Sequence, residues 1–525
     1  NRPDERPTQA SGNRARGRQG PPAERIFSRF DANRDDRITR AEFEGPKRRF
    51  DMLDQDRNGV ITRAEATNAP PPQNRGERQG QSGAPRPFEE PLDAPAKNTS
   101  PLAAATSANK PNIVFIYADD MGWTGTSVEM IEGNEQSKSD FYQTPNIEKL
   151  ASNGMVFSQA YSPGPMCTPS RAAVLTGMTP AELHITTPGA GKTDGSRKLL
   201  TPRISTRIPD DLPTIGTMLK EGGYATALLG KWHIGRNDHA GQYGFDYHDG
   251  PTGNDATESA SDPKEIFSLT ERGIRFMEEA VGGGQPFYLQ LSHYSVHSPV
   301  QARPESIEKF EAMPPGSTHK QADYAAMTWD LDESLDQILQ ALQKLNISDN
   351  TYVVFMSDNG AGGNRRRPNN TPLFAGKGTL FEGGIRVPLI ISGPGLNTGY
   401  SSVAVSGTDL FTTFAKWAGA DIELDESEDL SPLLTGNPGQ FERDHALLFH
   451  YPHYGRGPQV PQTALVSGHW KLLKDWETGS YHLFDLESDL GEQNDLSAKE
   501  PEVYNKMLAA MEQRLTGVNA QLPVK

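Results

Sequence analysis

From residue 111 onward the chain repeats one arrangement of polarity: a run of five or six apolar residues, a short polar segment, then apolar positions at every third or fourth place. Short apolar runs are the mark of buried strands and the three-to-four spacing that of amphipathic helices, so the pattern predicts an open α/β sheet joined by crossover helices. Four runs stand out: NIVFIY (112–117), YATALL (224–229), FYLQL (287–291) and YVVFM (352–356). Between the last two, Tyr324, Met327, Leu331, Leu335, Ile338 and Leu342 form one apolar stripe, which predicts a helix lying on the sheet. Past Asp409, TDLFTTFAKWAG predicts a helix, TALVSGHWKLL and SYHLFDL predict strands of a smaller unit, and Val503, Met507, Met511 and Leu515 predict a closing helix. The fold class is therefore α/β: a large domain with a central, mostly parallel sheet flanked by helices, and a smaller C-terminal α+β domain with an antiparallel sheet. We place the two at 110–437 and 438–525.

The first hundred residues read differently. Residues 1–23 are polar and rich in Arg, Gly and Pro, too poor in apolar area to offset chain entropy, and are expected to be disordered. Two copies of one pattern follow within 24–67, with acidic loops beginning at Asp31 and Asp54. Each resembles an EF-hand loop, in which one tight turn wraps oxygen ligands around a hard cation. The first would supply Asp31, Asn33, Asp35 and Glu42, and the second Asp54, Asp56, Asn58 and Glu65. Gly59 occupies the sharp turn of the second loop, whereas Asp36 stands at that place in the first and predicts strain there. Calcium binding by a small helical EF-hand pair is the expectation, a solvated acidic hairpin the alternative. Residues 68–109 are proline-rich without an apolar period and read as a semi-rigid linker.

Composition narrows the function. A net charge of -16 argues against a general nucleic-acid binder, which needs basic surface to displace phosphate counterions. No run of eighteen apolar residues occurs, so no span of a bilayer is predicted. The chain opens at Asn1 rather than methionine, which predicts an exported protein, periplasmic or extracellular, with its signal peptide removed. The single cysteine, Cys167, can form neither an internal disulfide nor a thiolate cluster within the chain.

The four strands lead into chemistry. They are followed by Asp119-Asp120, by Gly230-Lys231-Trp232-His233, by His293 and His297, and by Ser357-Asp358-Asn359-Gly360. Ligands of open α/β sheets sit beyond the carboxyl ends of the strands, so these tails are expected to converge. Asp119, Asp120, Asp358 and Asn359 offer only oxygen, which favours calcium, or with less preference magnesium, over zinc; helix capping is the alternative for either pair taken alone. Cys167 is followed by Thr168-Pro169-Ser170-Arg171 and good helix formers, which predicts a helix starting at Cys167, where unpaired N–H groups favour an anion and Arg171 could clamp one.

With these residues in place the sequence resembles the type I sulfatases of the alkaline phosphatase superfamily, from about Lys110 to the C-terminus. The resemblance is carried by CTPSRAAVLTG (167–177), GGYATALLGKWHIG (222–235), KPNIVFIYADDMG (110–122), SDNGA (357–361) and GKGTLFEGGIRVP (376–388). It implies that Cys167 is oxidised by a maturation enzyme to formylglycine, whose hydrate oxygen, held on calcium by Asp119, Asp120, Asp358 and Asn359, attacks sulfur and expels an alcohol. It further implies that Arg171 steadies the hydrate, that Lys231 and Lys377 neutralise sulfate, that His233 is the base that frees it, and that His297 contacts sulfate and, with Lys377, protonates the leaving oxygen. His293 lies outside the motif positions and reads as a packing neighbour.

The expected substrate is a sulfated carbohydrate, a polysaccharide or an oligosaccharide from one. Arg365, Arg366 and Arg367 could bind further sulfates or form an exposed loop. His450 and His453, in HYPHYG, could hold sugar or pack between the domains. Two other readings stay open: a phosphonate or phosphate ester hydrolase of the same superfamily, and a non-catalytic calcium-binding adhesion protein. The sequence leaves the oligomeric state open.

Overall fold

The computed structural model describes residues 35–39, 58–63, 65, 110–189, 197–254, 259–362, 369–420, 422, 424–455 and 459–525. Two compact units divide at residue 100. In the first, β1 (Arg37–Thr39) and β2 (Val60–Thr62) pair antiparallel with Ile38 opposite Ile61, both fully buried. These isoleucines hold the eighth position of each acidic loop. Asp36 has φ +60° and Gly59 φ +83°, so both chains make the same left-handed turn before the ladder, the first without glycine's freedom. Asp35, Asn58 and Glu65 each accept a nearby backbone N–H, whereas Asp31, Asn33, Glu42, Asp54 and Asp56 lie outside the described residues.

The second unit is built on β3 (Asn112–Ala118), β4 (Gly154–Phe157), β5 (Ala160–Tyr161), β6 (Ala225–Gly230), β7 (Tyr247–His248), β8 (Phe287–Ser292), β9 (Thr351–Ser357), β10 (Leu389–Ser392), β11 (Gly399–Ser401) and β12 (Val405–Ser406). Eight of them form one sheet in the order β11-β4-β10-β9-β3-β8-β6-β7, parallel except for β10, while β5 and β12 pair separately. Each predicted run became a strand. The central strands are buried on both faces, and their alternation divides the core. Ile113, Phe115 and Tyr117 of β3 face the helices Cys167–Thr176, Ile215–Glu221 and Asp409–Ala418, whereas Val114, Ile116 and Ala118 face Ile266–Gly282 and Ala322–Lys344. All six residues of the predicted stripe on Ala322–Lys344 are buried.

The C-terminal sheet runs β13 (Leu447–Tyr451), β14 (Gln462–Ser467), β15 (Trp470–Asp475) and β16 (Tyr481–Asp485), all antiparallel. One face packs on Tyr161, Leu380 and Ile385, the other on Met507, Met511 and Leu515 of the helix Pro501–Gly517. The run TALVSGHWKLL is two strands, not one: Gly468, at φ +60°, turns it into a hairpin that pairs Ser467 with Trp470. Among the described residues no helix is long and apolar enough to cross a membrane.

Candidate active site

β3 and β9 are parallel neighbours with Ala118 opposite Ser357, so the two acidic pairs leave the sheet side by side. The Asp358 N–H donates to the Ala118 carbonyl (3.0 Å), the Asp120 N–H to Asp358 Oδ1 (3.1 Å), and Asn359 Nδ2 to Asp120 Oδ1 (2.7 Å). Asp120, at φ +60°, turns its side chain back over the strand ends. The helix Cys167–Thr176 begins at the same edge, and one ligand atom each from Asp119, Asp120, Asp358 and Cys167 lie within 4.8 Å of one another. Cys167 Sγ is 3.6 Å from Asp119 Oδ1 and only 1 % of the residue is exposed.

Three cations enclose the carboxylates. Lys231 Nζ donates to Asp119 Oδ2 (2.6 Å), and Lys377 Nζ reaches both Asp120 Oδ1 (2.5 Å) and Cys167 Sγ (3.0 Å). Arg171 sets Nε and Nη2 on Asp358 Oδ2, each at 2.9 Å, and donates Nη1–H to the Lys231 carbonyl (2.9 Å). Nε and Nη1 thus orient a carboxylate and the lysine backbone, while the buried Nη2 makes no hydrogen bond among the described residues. Burial would raise the Asp119 carboxyl, but Lys231 together with Arg171 and His297 holds the group below its ordinary value. Burial would lower Lys377, yet the negative groups around it, Asp120 first and then Cys167, Asp119 and Asp358, together hold it well above the usual lysine range. Burial, and then Asp358, push the Cys167 thiol up to about 12, against the pull of Lys231 and Lys377. The helix N-terminus does not make it a thiolate, so at neutral pH this sulfur is a poor nucleophile.

His233 is tied to the helix start, because Thr168 Oγ1 donates to its carbonyl (2.8 Å). Its Nδ1 is buried and has no partner among the described residues. Burial, with Lys231 and Arg171 adding to it, lowers the ring to about 2, so it is neutral at pH 7. His297 lies at the more open side, with Nδ1 2.6 Å from the Ser298 carbonyl and Nε2 3.7 Å from Asp120 Oδ2. His293 is fully buried, and both ring nitrogens lack hydrogen-bond partners among the described residues.

His450 and His453 do not present free rings. His450 is 2 % exposed, with Nδ1 2.8 Å from Thr463 Oγ1 and Nε2 2.9 Å from the Gln521 carbonyl, so it packs the sheet against the C-terminal tail. His453 is fully buried with Nε2 2.7 Å from Thr186 Oγ1. β13 is covered on both faces, so alternation leaves no exposed position for His450. Arg365, Arg366 and Arg367 lie outside the described residues.

The donor set suits a hard divalent ion. Three buried carboxylates converge, and Asn359 Oδ1 is buried beside them without a hydrogen bond from any described residue, an acceptor that a cation would satisfy. A second buried charge cluster escaped the sequence. Lys471 Nζ of β15 lies 2.8 Å from Glu382 Oε1 and 2.9 Å from Glu492 Oε1, and Glu492 Oε2 accepts the Glu382 N–H (2.7 Å). This joins the C-terminal sheet to the turn Glu382–Ile385, whose Gly384 carbonyl accepts the N–H of Gly360, next to Asn359. Its charges are 89 and 21 positions from Lys471, so no local pattern announced them.

Comparison with known proteins agrees with this architecture. The family model "Sulfatase" matches residues 111–420, and "N-sulphoglucosamine sulphohydrolase, C-terminal" matches 373–521. A protein named "Sulfatase" from Formosa agariphila is 28% identical over 77% of this chain and 88% of its own length. The "N-acetylgalactosamine-6-sulfatase" of Canis lupus familiaris is 32% identical over 72% of this chain and 75% of its own. Among solved structures, Ps i-CgsB in complex with k-i-k-neocarrahexaose superimposes with a TM-score of 0.64 at 28% identity, covering 78% of this chain and 93% of that one.

Proposed function

Since this chain belongs to the sulfatase family of sulfuric ester hydrolases, we propose that it cleaves sulfate esters of a carbohydrate, using Cys167 converted to formylglycine beside a bound calcium ion, with magnesium the second choice. The observation that carries this reading is the meeting of Asp119, Asp120 and Asp358 at Cys167 under Lys231 and Lys377. With burial pushing the Cys167 thiol up to about 12 the sulfur is a weak nucleophile at neutral pH, and oxidation of Cys167 would give the site an oxygen in its place. When bound, the ion would offset the carboxylate charge and lower the cost of deprotonating a neighbouring oxygen. The protein's own groups do the rest. Lys231 and Lys377 face the position of a sulfate at Cys167 and stabilise its charge as the ester bond breaks. His233, neutral and with Nδ1 free of partners among the described residues, takes up a proton, and Lys377 with His297 delivers one to the departing sugar oxygen. Arg171 fixes Asp358 and the carbonyl of Lys231.

A polyanionic glycan agrees with the relatives named for N-acetylgalactosamine 6-sulfate and bound to neocarrahexaose, and export would bring the enzyme to such polymers. The paired acidic loops, joined through Ile38 and Ile61, are proposed as calcium sites of a separate module, with residues 110–437 and 438–525 as the two parts of the enzyme.

The mass of the tryptic peptide 150–171 from protein made in its native host is the first test, and the aldehyde in place of the thiol is the expected result. Sulfate release is then compared with phosphate release on matched esters, using carrageenan oligosaccharides and N-acetylgalactosamine 6-sulfate. Faster phosphate release would favour the phosphoester reading, and an intact thiol with no turnover the adhesion protein.

A further inference from the structure

Lys231 and His233 ride on a stretch of backbone that does not hold itself. β6 ends at Gly230, with φ +91°, and His233 follows at φ +55°. A Cβ at Gly230 would stand 2.2 Å from the Ser292 carbonyl oxygen, so the chain passes there in contact with β8. A non-glycine residue in left-handed geometry persists only where its surroundings over-determine it.

The determining contacts come from the loop after β7. Asp249 Oδ2 accepts the Gly230 N–H (2.7 Å) and is itself held by Arg272 Nη2 (2.9 Å). Thr252 Oγ1 donates to the Gly230 carbonyl (2.6 Å) and accepts the Trp232 N–H (2.8 Å). The Thr252 carbonyl accepts the His233 N–H (2.8 Å). Of the four amides from Gly230 to His233, only that of Lys231 is bonded elsewhere, to the Ser292 carbonyl (2.8 Å). One hydroxyl therefore bridges the residues on either side of Lys231, while the carbonyl of the same threonine holds His233.

We propose that Thr252, acting beside Asp249 on the same stretch of backbone, is a positioning residue that fixes Lys231 and His233 at the reaction centre. It acts through the backbone and is separated from β6 by more than twenty residues, so neither motif block contains it. The inference rests on the reading of Lys231 and His233 as reaction residues. A misplacement of about 1 Å in such groups can cost on the order of a hundredfold in rate, and substrate binding need not change with it.

The test compares the full-length, matured protein with Thr252→Val, which keeps the shape and removes the hydroxyl, and with Thr252→Ser, which restores it; Thr252→Ala serves equally if valine is not accommodated. kcat and KM are measured on whichever carrageenan oligosaccharide or N-acetylgalactosamine 6-sulfate is cleaved fastest, and amide hydrogen exchange is followed at Gly230–His233. The expected result is a loss of about tenfold or more in kcat with KM within about twofold, faster exchange confined to Trp232 and its neighbours, and recovery of both in the serine variant. Unchanged kcat in Thr252→Val, an equal loss in Thr252→Ser, or lost activity without local exchange would overturn the proposal. A wild-type protein that releases no sulfate defeats the functional reading, whereas unchanged exchange defeats the positioning claim independently.

Discussion

Cys167 sits where two electrostatic demands conflict. A helix N-terminus favours negative charge, yet burial and three carboxylates oppose it, and the thiol stays protonated. Cys167→Ala is expected to abolish sulfate release while leaving the denaturation midpoint close to wild type, because only a small buried group is lost; substantial residual turnover would sink the mechanism. The buried histidines make a separate prediction. Burial lowers His293 to about 3, and His450 and His453 to about 4. The unfolded chain binds protons on these rings below about pH 6.5, and the folded chain does not until far lower, so their stabilisation is complete above 6.5 and falls away as the pH drops. Between pH 7 and 5.5 each ring should cost about 1 kcal/mol, which urea melts at those two values would measure; a melt that does not move would remove these rings from the account. His450 shows why reading residue types along a chain misleads: a histidine beside tyrosines looks like a sugar contact, and only the pairing of β13 with β14 reveals that Thr463 and Gln521 already occupy its nitrogens.

At the level of elements, strand ends were legible because chemistry follows each apolar run directly. Asp119, Lys231 and Asp358 are all one to two residues past a strand, and the sheet's parallel order brings them together. The supports around them were not legible, since Thr252, Glu382 and Lys471 act across tens of residues through backbone atoms and buried charge. The hairpin at Gly468 was missed because only Ser467, Gly468 and His469 separate its two apolar arms, too short a break to stand out as a turn between strands. Gly360 illustrates how tightly the elements meet, as a Cβ there would lie 1.9 Å from the Gly383 carbonyl oxygen. Gly360→Ala should push the end of β9 off the turn Glu382–Ile385 and displace Asp358 and Asn359. Calcium affinity, read by titration calorimetry, is expected to fall by about ten- to a hundredfold, and an unchanged affinity would show that the turn does not set the ligand geometry.

For the molecule as a whole, Lys471 is one tie between the C-terminal sheet and the candidate active site, beside the Leu380 N–H bond to Gln462. It is fully buried between Glu382 and Glu492, so Lys471→Met would leave two carboxylates with one cation fewer and is expected to cost about 3–5 kcal/mol of stability by urea unfolding. Removal of residues 1–109, in contrast, should leave kcat unchanged, since that cut falls beside the division between the two compact units; a folded but inactive truncation would tie the acidic loops to catalysis. The enclosure of Cys167 also bears on how active protein is made. With 1 % of the residue exposed, no modifying enzyme can reach the sulfur once β3, β9 and the helix Cys167–Thr176 have closed over it. Under the proposed maturation, oxidation and folding therefore compete for one time window. That window lasts until the chain through Ser357 has been synthesised and β9 has paired with β3, a closure between distant segments and so a slow one. Changes that hasten folding would yield protein that is better assembled and carries fewer competent sites per molecule.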